Sequence, residues 1–149
     1  MEQRKGLEAG VNTHENVIYS CFGGFSNTGI VAGLASLEAV KELGLRKASI
    51  GCLAALPLKS PSPMAKTEAA RRIVTVDGCD LQCARKMVEA AGFKVHGAIV
   101  LMRDVPMKKR PLHSDIGGDL KPLTDYFTQE EVARAKELIV HAVTDGDQG

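Results

Sequence analysis

The stretch Ile73-Val-Thr-Val-Asp-Gly-Cys-Asp-Leu-Gln-Cys-Ala84 constrains this chain more than any other. Its first four residues are apolar or β-branched and read as a buried strand, Asp77-Gly78 ends that strand, and Cys79 and Cys83 straddle the start of a helix. Two further cysteines, Cys21 and Cys52, stand at the ends of two earlier strand-like runs. If those three strands are parallel neighbours, all four thiols meet at one edge of one sheet.

The pattern along the chain supports that arrangement. Asn16 to Cys21 reads as the first strand and runs into the turn Phe22-Gly-Gly-Phe-Ser-Asn-Thr-Gly29. A helix follows from Thr28 to Leu43, with Ser26 or Asn27 as its cap, Gly44 as its stop and Ile30, Leu34, Leu37 and Val40 at helical spacing. Arg46 to Leu56 supplies the second strand. The prolines of Pro57-Leu-Lys-Ser-Pro-Ser-Pro63 turn it into a loop, and a short helix capped by Ser62 runs to Arg71 or Arg72. After the third strand a helix from Asp80 to Ala91 is expected, capped by Asp80 and carrying Leu81, Ala84, Val88 and Ala91 on one face. Phe93 to Met102 makes the fourth strand, and 103–127 reads as loop with a helical turn. Thr128-Gln-Glu-Glu131 is a capping-box pattern, and Val132, Ala135, Ile139 and Ala142 then stripe a last, amphipathic helix.

Strand and helix alternate throughout, which predicts an α/β fold: one doubly wound, Rossmann-like or flavodoxin-like domain with a mainly parallel sheet of about four strands. Residues 1–15 read as a polar arm, 16–144 as the domain and 145–149 as a frayed tail. A chain of 149 residues buries roughly 70% of its unfolded surface, so it needs no staple to fold. The 18 acidic and 19 basic side chains nearly cancel, and six aromatics with no Trp offer no base-stacking platform. Nucleic acid is therefore not an expected partner. No apolar run approaches the ~18 residues of a membrane span and the polar start is unlike a signal peptide, so a cytoplasmic protein without a membrane partner is expected. In that reducing compartment four cysteines point to metal or redox chemistry rather than disulfides.

Ligand sites in such folds lie beyond the carboxyl ends of the strands. The C-x3-C spacing of Cys79 and Cys83 is within the range of zinc sites, and four thiolates make a closed tetrahedral set of soft ligands that select zinc or iron–sulfur over magnesium or calcium; zinc is the expected metal, with iron or iron–sulfur second. Helices starting near Thr28, Pro63 and Asp80 would aim their positive ends at the thiolates. The same geometry also fits a thiol-redox or sulfur-transfer site, with Cys79, Cys83 or Cys21 as a low-pKa nucleophile, and four cysteines buried as small hydrophobes are the bland alternative. Gly24-x4-Gly29 imitates a phosphate loop, but Ile30-Val31 stand where Lys and Ser/Thr would be. A C-x5-R phosphatase loop fails as well, because Asn27 holds the arginine position. Gly23, Ser26, Asn27 and Gly29 are thus turn residues around Cys21, while Asp77, Gly78 and Asp80 shape the turn around Cys79. His14 reads as a surface histidine, His96 as a satisfied histidine of the fourth strand, and His113, beside Lys108-Lys-Arg110, as part of a solvated loop, with cover of the site as the second reading.

Cys21-x-Gly23, Ser26-Asn27-x-Gly29, Cys52-Leu53-Ala54 and Asp77-Gly78-Cys79-x3-Cys83-Ala84 together resemble the small prokaryotic DGC-motif proteins, a family named for zinc binding. The resemblance runs from about Val17 to the last helix. It implies zinc ligands at Cys21, Cys52, Cys79 and Cys83, with a protein partner or small ligand near them, and states no reaction. Phe22-Gly23-Gly24-Phe25 is bulkier than the turn of that family, and Ile30 stands where a polar residue is frequent.

Overall fold

Four runs of apolar and β-branched residues pair side by side, all parallel: β1 (Asn16–Ser20), β2 (Ala48–Ile50), β3 (Arg72–Asp77) and β4 (Gly97–Val100), in the order β2-β1-β3-β4. The structure, a computed structural model, describes residues 14–114 and 118–145. The expected arm falls outside them up to residue 13, and the expected tail from residue 146. Glu15, at the arm's end, is held: its amide donates to Arg46 O, its carbonyl accepts from Arg71, and its carboxylate meets Lys47 Nζ at 3.1 Å.

Helices cover both sheet faces, as a parallel sheet requires. On one face α1 (Asn27–Leu43) and α6 (Gln129–Thr144) pack over Ile18, Val74, Val76 and Ile99. On the other, α2 (Ala55–Leu58), α3 (Pro61–Ala69) and α4 (Cys83–Ala90) lie over Val17, Tyr19 and Ile73, with Leu56, Met64 and Val88 in the contact. Alternate strand residues supply the two cores, because a strand points successive side chains to opposite faces. α5 (Leu101–Asp104) follows β4 without a break, and 3-10 turns at Leu112–Ser114 and Leu123–Asp125 interrupt the return to α6. No helix among the described residues is long and apolar enough to cross a membrane.

Local chemistry sets several boundaries. Ser26 caps α1 by accepting from the Gly29 amide at 3.2 Å, and Gly44, at φ 92°, ends it. Thr128 and Glu131 form the expected capping box, with bonds of 2.8 and 3.1 Å. Elsewhere the structure departs from the sequence pattern. Leu34 and Leu37 of the expected α1 stripe face solvent, at 38% and 59% exposed, and the buried face is Val31, Ala32, Ala35, Ser36 and Ala39. Small side chains let α1 lie close to the sheet and to α6, which outweighs the burial of two leucines. β2 stops at Ile50, and Pro57 sits inside α2, where its missing amide costs nothing because first-turn amides have no partner within the helix. α3 begins at Pro61, two residues before the expected Pro63, and β4 is four residues rather than ten. On α6, Val143 takes the buried position expected for Ala142.

His96 is satisfied, as its sequence setting suggests: Nδ1 accepts from the Ile73 amide at 2.9 Å. Burial and the charges of Arg72 and Lys94 hold its imidazole below the ordinary value of 6.5. Between that value and the lowered one, the unfolded chain takes up a proton that the folded chain refuses. Stability should therefore fall as pH drops below about 6.5 and level off once the folded-state value is passed. A set of urea titrations across that range should show a smaller slope for His96→Ala. In the core, Ile139→Ala should cost about 3 kcal/mol by the same method, since Ile139 is fully buried between α6 and the sheet.

Candidate functional site

The strand order makes β1 and β3 neighbours although β2 lies between them in the chain, so the connections leaving their carboxyl ends diverge to opposite faces. A crevice opens where they part, at the switch point of the sheet. Cys21 is one residue past β1, and its amide extends the ladder to Val76 O at 2.9 Å. Cys79 is two residues past β3, and Cys83 is the first residue of α4. These three thiols line one cavity of about 280 Å³.

Asp77 positions the second half of that site. Its side chain is buried, and its two oxygens accept from the Ala84 and Arg85 amides at 2.8 and 3.2 Å. The cap of α4 thus comes from the strand, seven and eight residues back in the chain. This corrects the expectation of a helix capped by Asp80 from residue 80: Asp80 and Leu81 are exposed, Asp80 close enough to Arg103 for its charge to act there, and the helix starts at Cys83 behind Gln82 in the left-handed conformation (φ 52°). The Gln82 amide closes the turn onto Cys79 O at 3.2 Å. Gly78 is required by close approach, because a Cβ there would sit 2.7 Å from Thr28 C and 2.8 Å from Gly29 N. Gly29 is equally confined, with Phe22 O at 2.1 Å from the place of its Cβ. The end of β3 therefore rests directly on the first turn of α1.

The turn after Cys21 is organised from a distance. Ser26 forms an isolated bridge with Pro111, the Leu112 amide donates to Phe25 O at 2.9 Å, and the rings of Phe25 and His113 stack with centroids 6.2 Å apart. Buried Asn27 donates to Lys108 O at 3.0 Å and Tyr126 O at 3.3 Å, and accepts from the Arg110 amide at 2.6 Å. That clamp brings Lys109 to the cavity wall. The Lys108-Lys-Arg110 run is plain in the sequence, but the place of Lys109 in the cavity wall is not. Only the pairing with Asn27, 81 residues from Lys108, reveals it.

Burial pushes the Cys21 thiol above its ordinary value, and the nearby charges of Asp77, Cys83 and Cys79 push the same way. A hydrogen bond from the Gly23 amide, made possible by the turn with Gly23 at φ 79°, opposes them. Cys52 stands apart from the other three. It is exposed beyond β2, its carbonyl accepts from Ala55 at 3.1 Å, and it lines a separate cavity of about 150 Å³ with His14, Tyr19, Lys66 and Thr67. Among the described residues no three His, Cys, Asp or Glu side chains stand close enough, as placed, to grip an ion. Soft thiol donors of Cys21, Cys79 and Cys83 around one shared space nevertheless fit a thiophilic cation by their chemistry. A larger groove of about 470 Å³, between α1 and α6, contains no cysteine or histidine.

Removing the Asp77 carboxylate should leave the fully buried Ala84 amide without an acceptor. Asp77→Ala is expected to lose about 2 kcal/mol in urea unfolding, and Asp77→Asn less, because one oxygen remains.

The family model for the DGC domain matches residues 17–138. No curated protein and no solved structure matches the chain.

Proposed function

The chain belongs to the DGC-domain family, and from its strand-end thiols we propose that it is a zinc–thiolate protein, holding one metal ion through Cys21, Cys79, Cys83 and Cys52. The observation that carries this reading is the meeting of Cys21, Cys79 and Cys83 at one cavity, from segments that lie far apart in the chain. Core cysteines acting as small hydrophobes have no reason to gather at the ends of two adjacent strands. Cys52 is the fourth ligand because β2 is the other neighbour of β1: Ile50 pairs with Ile18, so Cys52 leaves the sheet beside the end of β1. Its thiol must turn from its own cavity towards Cys21 to join the set.

A zinc ion with four thiolates offers no open position to water, so it would tie strand ends together or report on metal and redox state rather than catalyse. The chain's own residues prepare the place. Asp77 fixes the start of α4 and hence Cys83, Gly78 lets Cys79 approach the first turn of α1, and the Gly23 amide stabilises the Cys21 sulfur. The thiol-redox alternative draws less support from these residues. Cys21 has its thiol pushed up, opposite to what a low-pKa nucleophile needs, and the Ala84 and Arg85 amides are engaged by Asp77.

Zinc content after purification without chelator tests the ligand set. The full chain should carry about one zinc, and Cys21→Ser, Cys79→Ser and Cys83→Ser should each weaken binding at least tenfold. Cys52→Ser, which removes the fourth ligand, should do the same. Unchanged zinc content and affinity in both Cys79→Ser and Cys83→Ser would contradict the proposal.

A further inference from the structure

We infer that Lys109 is the charge-balancing cation of the thiolate site, delivered to it by the Asn27 clamp; the inference rests on the zinc reading above. Three thiolates around one divalent cation leave a net charge of minus one and four leave minus two, and the Asp77 carboxylate adds another negative charge close by. Asp77 lines the same cavity as the three thiols, and its charge pushes the Cys21 thiol up. A half-buried anionic cluster is costly without a counter-charge.

Of the other cations around the site, Arg85, Arg103 and Arg110 are held by other partners, and Lys86 acts on Asp77 from outside the cavity wall. Arg85, in the first turn of α4, pairs with Glu89 at 3.1 Å and reaches Gln82 Oε1 at 3.4 Å. Arg103, whose field Asp80 reaches, lies against Asp104 at 2.8 Å. Lys86 is exposed and acts on Asp77, and the guanidinium of Arg110 donates to Tyr126 O. Lys109 is the basic side chain in the wall of the three-thiol cavity, and it forms no ion pair among the described residues.

What makes this more than a solvated lysine is the support of its backbone. Asn27 binds the chain on both sides of residue 109: Nδ2 donates to Lys108 O at 3.0 Å, Oδ1 accepts from Arg110 N at 2.6 Å, and the Asn27 amide donates to Arg110 O at 3.1 Å. Asn27 is 3% exposed and opens α1, directly before Thr28 and Gly29, on which Gly78 rests. The segment carrying Lys109 and the segment carrying Cys79 are thus both registered on the first turn of α1. A compact ammonium on a flexible stem serves this purpose, since balancing charge needs no directional fork.

The test is zinc affinity, read by competition with a chromophoric chelator on the full-length chain, with zinc alone as ligand. Lys109→Ala should weaken zinc binding about tenfold, at the low end of what partners of metal ligands contribute, and Lys109→Glu more. Lys109→Arg should retain most of the affinity, and Lys108→Ala, one residue away and outside the cavity wall, should change nothing. The visible absorption of the cobalt-loaded protein should stay the same in Lys109→Ala, because the ligands themselves are intact. Asn27→Ala should weaken zinc binding too, and Asn27→Ala with Lys109→Ala should be no weaker than Lys109→Ala alone, as expected if Asn27 acts through Lys109. Wild-type affinity in Lys109→Ala and Lys109→Glu overturns this inference and leaves the zinc site standing. A wild-type chain that binds no zinc overturns both.

Discussion

The carboxyl edge of this protein depends on the bond between the Asp77 carboxylate and the first amides of α4. A buried carboxylate is unfavourable by itself, and burial raises the proton affinity of Asp77 accordingly. Two amide hydrogen bonds, on Ala84 and Arg85, offset that cost and lower it again. In return the strand and the helix that follows it are joined at a fixed distance, and the turn between them carries Cys79 and Cys83. Without this joint the helix would have only Gln82 in front of it, whose side chain makes no capping bond.

The joint works because the neighbouring backbone comes so close. Gly78 and Gly29 remove the two Cβ atoms that would hold β3 and the Cys21 turn away from α1. Strand order then does the rest: β1 and β3 are adjacent in the sheet, so Cys21 and Cys79 reach the same crevice from segments nearly sixty residues apart. The stability of the domain resides elsewhere, in the two apolar layers on either side of the sheet. On the proposed zinc reading, removal of the metal should therefore loosen this edge while the core stays closed, in contrast to small zinc domains that fold only around their metal.

The alternation of strands and helices was legible in the sequence because parallel strands are apolar on both faces and because Ser26, Gly44 and the Thr128–Glu131 box are local signals. Local rules failed where the deciding contact is distant. A capping residue is sought next to its helix, so Asp80 was expected and Asp77, inside the strand, was not. Apolar spacing marked Leu34 and Leu37 as inward, whereas close packing of α1 on α6 selects the alanine face. The thiols are legible as strand-end residues, but the offset of Cys52 depends on β2 being only three residues long and ending at Ile50. Lys109 is invisible without the Asn27 clamp, which no spacing within one element encodes.

The central claim is that the thiols at these strand ends share one metal ion. X-ray absorption at the zinc edge, on untagged chain purified without chelator, tests it most directly. Four sulfur neighbours at ~2.3 Å are expected, with no titratable free thiol at Cys21, Cys79 or Cys83. A zinc shell made only of oxygen and nitrogen, or metal-free protein in which those three thiols all titrate, would contradict it.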